Sequence, residues 1–195
     1  MDWSLFLDFL DQAERLKCMT RHCTNSKGEP ESVAEHCWRA ALMAMLLAPE
    51  LPEVDTGRVI RMCLIHDLGE AVTGDIPTFR KTEADEVAEE QAVDRLLRGL
   101  PEESRREFAA LFAEMAALET PEARLFAVVD KLEAVIQHNE CPISGWEELE
   151  YDLQRSYGQR EADWFPQTAR LRAEILRRTE EKIAAEAPEK AGLGV

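Results

Sequence analysis

The chain has 195 residues, 45% of them hydrophobic, and carries a formal net charge of −16. This length fits one domain whose core can be stable without disulfides or a structural metal. The acidic charge disfavours nucleic-acid polymers and anionic membranes as partners, because both need a basic surface. A small anion remains compatible if a dication and a few basic side chains face it locally.

The cysteine pattern and the absence of long apolar runs favour a cytoplasmic protein. The cysteines are odd in number, scattered, and without a Cys-x-x-Cys pair, which is typical of reduced thiols. They are Cys18, Cys23, Cys37, Cys63 and Cys141. No apolar run reaches the ~18 residues needed for a membrane span, and the first residues lack the basic region of a signal peptide. We therefore expect no membrane association.

The hydrophobic periodicity is helical almost throughout, and strand signals are weak. It predicts an all-α single domain over residues 1–187, followed by a disordered tail at 188–195. The predicted helices cover 3–17, 32–47, 56–71, 82–98, 102–118, 121–139 and 165–186, and loops cover 20–30 and 141–145. The clearest start signal is Ser32-Val33-Ala34-Glu35, which matches a capping box.

An adjacent histidine and aspartate, His66-Asp67, lie inside an apolar helical run. A buried ionised aspartate is costly unless it is paired or binds a metal, and imidazole with carboxylate suits a divalent transition metal. A neutral core histidine beside a surface aspartate is the ordinary alternative. Glu70 follows on the same helical face and Asp75 one turn later, after Gly74, which places several titratable groups at the end of one helix.

Two further polar residues occupy apolar helical faces. His36 lies in the first turn after the Ser32 cap, and Asp130 interrupts an apolar run in the predicted helix 121–139. Alone, each is more often a satisfied core histidine or a salt-bridged aspartate. Together with His66 and Asp67 they provide two imidazoles and two carboxylates, which leave two positions of an octahedral ion open for water and substrate.

The order His…His-Asp…Asp, with each element on its own helix, resembles the HD-domain superfamily of metal phosphohydrolases. The closer resemblance is to its 5′-deoxynucleotidase branch, which includes the bacterial YfbR-like enzymes and the eukaryotic HD-domain-containing protein 2 group. The likeness covers roughly residues 3–180. Three segments carry it, namely Glu31-Ser32-Val33-Ala34-Glu35-His36, the stretch HDLGEAVTGDIP from His66 to Pro77, and Val129-Asp130-Lys131.

The resemblance implies a metal-dependent phosphomonoesterase that acts on deoxyribonucleoside 5′-monophosphates, as a homodimer. The positions that match the family's metal ligands are His36, His66, Asp67 and Asp130. The ion is expected to be divalent, with Mn, Co, Zn, Fe and Mg all compatible. Such an ion lowers the pKa of bound water towards ~7 and polarises a phosphoryl oxygen.

The resemblance also implies catalytic and substrate-binding roles. Glu70 matches the acid/base residue, and Asp75 matches a second catalytic carboxylate. Arg21 resembles an arginine that contacts the substrate phosphate, although a solvated loop arginine is the ordinary alternative. His22 follows Arg21 where the bacterial members have an aromatic residue, and this departure leaves the sugar and base preference open.

Other branches of the superfamily fit less well. The alarmone hydrolases typically carry a second acid where this chain has Ala71, and the triphosphohydrolases typically have histidine where Glu70 stands. The cyclic-dinucleotide phosphodiesterases and the two-metal oxygenases need more ligands than this chain's four histidines and nearby acids provide. A hydrolase of another small phosphorylated metabolite remains an alternative.

Two alternatives from other functional classes also remain. One is a non-catalytic, metal-stabilised binding module, which would normally close its site with four protein ligands and would not need Glu70 and Asp75. The other is a helical interaction protein without a metal. That alternative leaves the inward-facing polar residues without a common explanation.

Overall fold

The computed structural model describes residues 2–190, and the predicted all-α architecture is confirmed there apart from one small hairpin. The helices are α1 (Trp3–Ala13), α2 (Val33–Leu47), α3 (Thr56–Ile65), α4 (Glu70–Thr73), α5 (Glu83–Leu97), α6 (Glu102–Ala117), α7 (Pro121–Glu140), α8 (Glu148–Ser156), α9 (Gln159–Ala162) and α10 (Pro166–Glu186). Short 3-10 turns cover Glu14–Lys17, Ala48–Glu50, Ile143–Gly145 and Pro188–Lys190. Within residues 2–190, every helix is too short or too polar to traverse a bilayer.

The main core lies where α2, α3 and α7 pack against one another. Its centre is fully buried and includes Ala40 and Ala44 of α2, Val59 and Met62 of α3, and Val129 of α7. Small alanine side chains on α2 allow α3 to approach closely, so the two helices can interdigitate along their length. This packing brings the first turn of α2 next to the last turn of α3.

The predicted capping box sets the start of α2. The Ser32 hydroxyl accepts a hydrogen bond from the Glu35 backbone N–H, and the Glu35 carboxylate accepts one from the Ser32 backbone N–H at 2.7 Å. The two residues therefore satisfy free donors at the helix end. As a result, His36 lies in the first turn of α2, on the face that meets the core.

The prediction of a loop at 20–30 is wrong in part, because this segment forms most of a short antiparallel hairpin. Strand β1 (Thr20–Thr24) pairs with β2 (Pro30–Ser32), with Thr20 opposite Ser32. The turn between them is longer than a two-residue hairpin loop. The Asn25 side chain accepts hydrogen bonds from the backbone N–H groups of Lys27 and Glu29, and Gly28 has φ +81. A turn of this length lacks the Asn-Gly signal that marks the shortest hairpins.

The predicted helix 56–71 is also shorter in the structure, since α3 ends at Ile65. The chain then makes tighter turns, in which the Leu68 N–H donates to Ile65 O and the Glu70 N–H donates to Asp67 O. Gly69 is needed here because a Cβ atom would lie 2.6 Å from Glu89 Cγ of α5. The break in the helix turns His66 and Asp67 towards α2 and α7, while α4 begins a new direction.

Helices α8 and α9 were not predicted. The buried residues of α8 are Glu150 and Gln154 rather than apolar side chains, so a hydrophobic pattern could not reveal its inward face. Of the predicted tail at 188–195, the first three residues form the 3-10 turn against α10, and 191–195 lie outside the described residues.

Candidate metal centre

The four residues expected as metal ligands converge from three helices. His36 comes from the first turn of α2, His66 and Asp67 from the turn that follows α3, and Asp130 from the middle of α7. Packing of these three helices in the core fixes their relative positions. Residues far apart in the chain therefore share one small volume.

The facing atoms of this cluster are close to one another. His36 Nε2 lies 3.1 Å from Asp130 Oδ1 and 3.9 Å from Asp67 Oδ2. His66 Nε2 lies 3.1 Å from Asp67 Oδ2 and 3.5 Å from Asp130 Oδ1. Ligands at right angles about an ion at about 2.1 Å are roughly 3 Å apart, so these separations suit a shared metal. We call these four residues the ligand cluster.

An unsatisfied buried nitrogen supports a metal in the ligand cluster. His66 Nε2 is buried and makes no hydrogen bond of good geometry, although two carboxylate oxygens are near. His66 Nδ1 lies 2.9 Å from the Cys63 carbonyl oxygen, which orients the ring if Nδ1 carries the hydrogen. The lone pair of Nε2 is then available to a cation, and the donor set of two nitrogens and carboxylate oxygens suits a divalent ion.

The electrostatics of the cluster follow from pairing inside a buried site. Burial alone would raise the pKa of Asp130, but the close approach of the His36 and His66 imidazoles holds that pKa well below the usual range. Burial likewise opposes ionisation of Asp67, yet the neighbouring His66 lowers its pKa. Both aspartates are therefore carboxylates at neutral pH, as metal ligands must be.

Glu133 is a functional candidate that sequence reasoning missed. It lies one turn after Asp130 on α7, is fully buried, and contacts His36 Nδ1 through a short hydrogen bond. Its other oxygen accepts from Arg39 Nε at 2.6 Å. An ionisable residue in an apolar stretch of α7, at the spacing that shares a face with Asp130, was the available signal.

Arg21 lies on β1 at the edge of the ligand cluster. One terminal nitrogen, Nη1, contacts Glu133 Oε2 at 3.3 Å and Glu31 Oε2 at 3.4 Å. Burial would lower the pKa of the Arg21 guanidinium, but Glu133 and Glu31 raise it overall. The guanidinium is thus charged, held by two carboxylates, and 15% exposed.

Glu70 is buried on the other side of Asp67. Its Oε2 atom has no hydrogen-bond partner within residues 2–190. Burial, together with the charges of Asp67, Asp75 and Glu89, raises the pKa of Glu70 to about 9. The carboxyl group therefore carries a proton at neutral pH in the absence of a nearby cation. Such a group can donate a proton to a leaving oxygen.

Asp75 lines a cavity together with Arg21. Burial raises its pKa, and the positive charge of Arg21 opposes that shift. The predicted site residues are thus arranged as a central ligand cluster with Glu70 on one side and with Arg21 and Asp75 on another.

Two cavities lie near the site residues, one lined by Arg21 and Asp75 and the other by His66 and Asp67 of the ligand cluster. The first, which we call the aromatic cavity, has walls that include Arg21, His22, Asp75, Phe79, His138, Glu150 and Tyr157. The second, which we call the acidic cavity, is lined by residues that include His66, Asp67, Lys81, Glu86, Glu89, Glu90, Asp94 and Phe112. The aromatic cavity combines ring faces with a buried guanidinium, and the acidic cavity combines apolar residues with several carboxylates.

The wall of the aromatic cavity is held together by polar and ring contacts. His22 Nε2 lies 3.0 Å from Glu150 Oε1, and the His22 ring meets Phe79 edge to face. The Tyr157 hydroxyl lies 3.5 Å from Thr78 Oγ1. Neither His22 nor His138 was expected as a ligand, and both lie on this wall.

Fold and site together define a helical protein with a candidate metal centre of two histidines and two aspartates between its helices. Comparison with known families identifies which family of helical proteins this chain belongs to. The sequence model of the HD domain matches residues 13–171, and the chain belongs to the HD domain family.

Individual relatives agree with this membership. The chain is 30% identical to human 5′-deoxynucleotidase HDDC2 over 166 residues, which are 82% of this chain and 78% of that protein. It is 36% identical to the dATP triphosphohydrolase of Cyanophage S-2L over 110 residues, 55% of this chain and 56% of that protein. Among solved structures, the predicted metal-dependent phosphohydrolase of Magnetospirillum magnetotacticum MS-1 superimposes with a TM-score of 0.72 at 28% identity, over 93% of this chain and 95% of that one.

Proposed function

We propose that the protein is a metal-dependent phosphohydrolase that removes the 5′-phosphate of deoxyribonucleoside monophosphates. The observation that carries this proposal is the position of Arg21. The partly buried guanidinium of Arg21 contacts Glu133, which lies behind the ligand His36, and also lines a cavity with aromatic walls. A phosphate bound by Arg21 has room for its nucleoside in that cavity. The similarity to human 5′-deoxynucleotidase HDDC2 supports the same substrate class.

The proposed ligands of the divalent ion are His36, His66, Asp67 and Asp130. Mn, Co, Zn, Fe and Mg all remain candidates for its identity. When bound, the ion supplies a water of lowered pKa and polarises a phosphoryl oxygen. The protein holds the four side chains in place through core packing, through the Cys63 carbonyl behind His66 and through Glu133 behind His36.

The remaining site residues bind phosphate and move protons. Arg21 can donate hydrogen bonds to two phosphate oxygens, since a planar guanidinium matches that geometry. Glu70, buried beside Asp67, is the proposed donor of a proton to the leaving 5′ oxygen. Asp75, beside Arg21, is the proposed second carboxylate and orients the attacking water or the sugar end of the substrate.

The aromatic cavity is the better place for the nucleoside. Phe79 and Tyr157 offer ring surfaces on which a base can stack, and each such contact contributes roughly 1–3 kcal/mol. The acidic cavity has Lys81 as a basic side chain, but Lys81 is ion-paired with Glu89 and other carboxylates surround it. An anionic substrate is therefore repelled on that side.

A homodimer is part of the proposal. Helix α2 carries an apolar stripe that faces solvent, and α1 exposes a second one. The α2 stripe consists of Trp38, Leu42, Met45 and Leu46, spaced to share one helix face. Sedimentation should show a dimer for the wild type and a shift towards monomer for Leu46→Glu. Val87→Glu, on exposed α5, is the matched control, and a wild-type monomer would contradict the proposal.

The protein is further proposed to act as one domain over residues 1–187 in the cytoplasm. The supporting observation is that all five cysteines are free thiols. Thiols of this kind persist in a reducing compartment.

The deciding experiment is phosphate release by metal-stripped protein with Mg, Mn, Co or Zn added back. The substrates are nucleoside 5′-mono-, di- and triphosphates and 3′-monophosphates, each as ribo and deoxy forms. Metal-dependent release from 5′-monophosphates, fastest with deoxyribose, is expected. Preferred hydrolysis of triphosphates would indicate an activity like that of the Cyanophage S-2L relative. No phosphate release from any substrate, with metal bound, would favour another phosphorylated metabolite as the substrate, or a binding module.

A further inference from the structure

We propose that Glu133 is a positioning residue that couples the metal ligand His36 to the phosphate-binding Arg21. The inference deepens the proposed function and rests on it for the role of Arg21. Its basis is a single buried carboxylate that contacts both residues directly.

Glu133 is a buried acid whose carboxylate contacts several partners. The residue is 0% exposed, and its carboxylate contacts one imidazole and two guanidinium groups. A buried carboxylate is stable only with such partners. Arg39 Nε donates to Oε1 at 2.6 Å, which limits rotation of the carboxylate.

The contact with His36 determines which ring nitrogen faces the ion. Glu133 accepts hydrogen bonds from the guanidinium groups of Arg21 and Arg39, which can only donate, so it acts as a carboxylate. A carboxylate only accepts hydrogen bonds, so His36 Nδ1 must carry the hydrogen and donate it. His36 Nε2 is then the nitrogen that faces Asp67 and Asp130 and can bind a cation held between them. A carboxylate behind a ligating histidine fixes the tautomer and makes the ligand a better donor.

The contact with Arg21 joins the two functions at one atom. Glu133 Oε2 receives both the His36 Nδ1 hydrogen and Arg21 Nη1, the latter at 3.3 Å. A change at Glu133 therefore alters the contacts of both residues. The position of the Arg21 guanidinium and the orientation of the His36 ring depend on the same carboxylate.

The test compares Glu133→Gln with Glu140→Gln. The first change keeps the shape of the side chain and removes its charge. The second removes a different, 45% exposed partner of Arg39 and touches neither His36 nor Arg21. For Glu133→Gln we expect a 10–100-fold loss of Mn²⁺ or Zn²⁺ affinity, measured by chelator competition, and a rise in KM of about tenfold at saturating metal. For Glu140→Gln both quantities should stay within about twofold of wild type.

A wild-type measurement keeps the proposal falsifiable if Glu133→Gln does not fold. Long-range ¹H–¹⁵N NMR of the Zn²⁺-loaded protein should show a protonated Nδ1 and a metal-bound Nε2 at His36. The opposite tautomer would overturn the proposal, as would a folded Glu133→Gln protein that matches Glu140→Gln in metal affinity or in KM. The metal affinity and the NMR spectrum need no substrate, so they decide the His36 contact even if phosphohydrolase activity is absent.

Discussion

The ligand cluster and the wall of the aromatic cavity are built in different ways. The cluster comes from core helices, and behind each of its two histidines stands a further contact, Glu133 or the Cys63 carbonyl. The wall comes from β1, the segment after Gly74, α7 and α8, and its contacts join side chains of different segments, such as His22 to Glu150 and Phe79. The comparison predicts that substitutions on the wall cost less stability than substitutions behind the ligand cluster.

The largest effect is expected from breaking the ligand cluster. Asp67→Ala removes a carboxylate that lies near both His66 Nε2 and His36 Nε2. Metal content and activity should be lost together, by more than the ~10²–10⁴-fold typical of a missing acid/base group. Metal analysis and phosphate release measure the two quantities. Asp152→Ala, at an 84% exposed position, is the control, and full metal content in Asp67→Ala would remove this residue from the ligand set.

The next largest effect is expected at Glu70, where activity should be lost without loss of the metal. Glu70→Gln keeps the shape of the buried side chain but cannot act as an acid, so activity should fall ~10²–10⁴-fold while metal content is unchanged. The measurements are kcat at saturating metal and metal content by elemental analysis. Glu53→Gln changes an exposed acid and should be neutral. Wild-type turnover in Glu70→Gln would exclude Glu70 from the mechanism.

A smaller effect is expected at the cavity wall, and it decides which cavity receives the nucleoside. Phe79→Ala removes a ring from the aromatic cavity, so KM should rise roughly 5- to 150-fold, as expected for a stacking loss of ~1–3 kcal/mol. The metal content and kcat should change little. Phe112→Ala makes the same change in the acidic cavity and should leave KM unaltered. The reverse outcome would place the nucleoside in the acidic cavity.

The smallest effect concerns stability rather than activity. Burial lowers the pKa of His138 to about 4, in spite of the nearby Glu150 carboxylate, from an unfolded value of 6.5. The unfolded chain therefore binds the extra proton first, and stability falls as the pH drops from about 6.5 to about 4, with a slope of at most ~1.4 kcal/mol per pH unit. His138→Gln should lose less stability over that window in urea titrations. An unchanged slope would show that His138 titrates normally in the folded state.

Much of the fold and of the ligand cluster could be predicted because the signals are local. The Ser32 capping box fixes the start of α2, and the periodicity of α7 places Asp130 on an inward face. Wrong predictions occurred where local signals are weak or absent. The hairpin has a long turn, α3 ends early at a close approach to α5, and α8 buries polar residues.

The sequence by itself determined the residue types and their order: two histidines and two aspartates on helices, the acid Glu70, and the acidic charge that disfavours polyanions. Only the tertiary structure decided that Glu133 lies behind His36 and beside Arg21, and that α8 lines the same cavity as Arg21. The physical reason is that a helix pattern reports which face is buried but not which helix it meets. That choice depends on packing between segments distant in the chain, here β1 and α2 against α7.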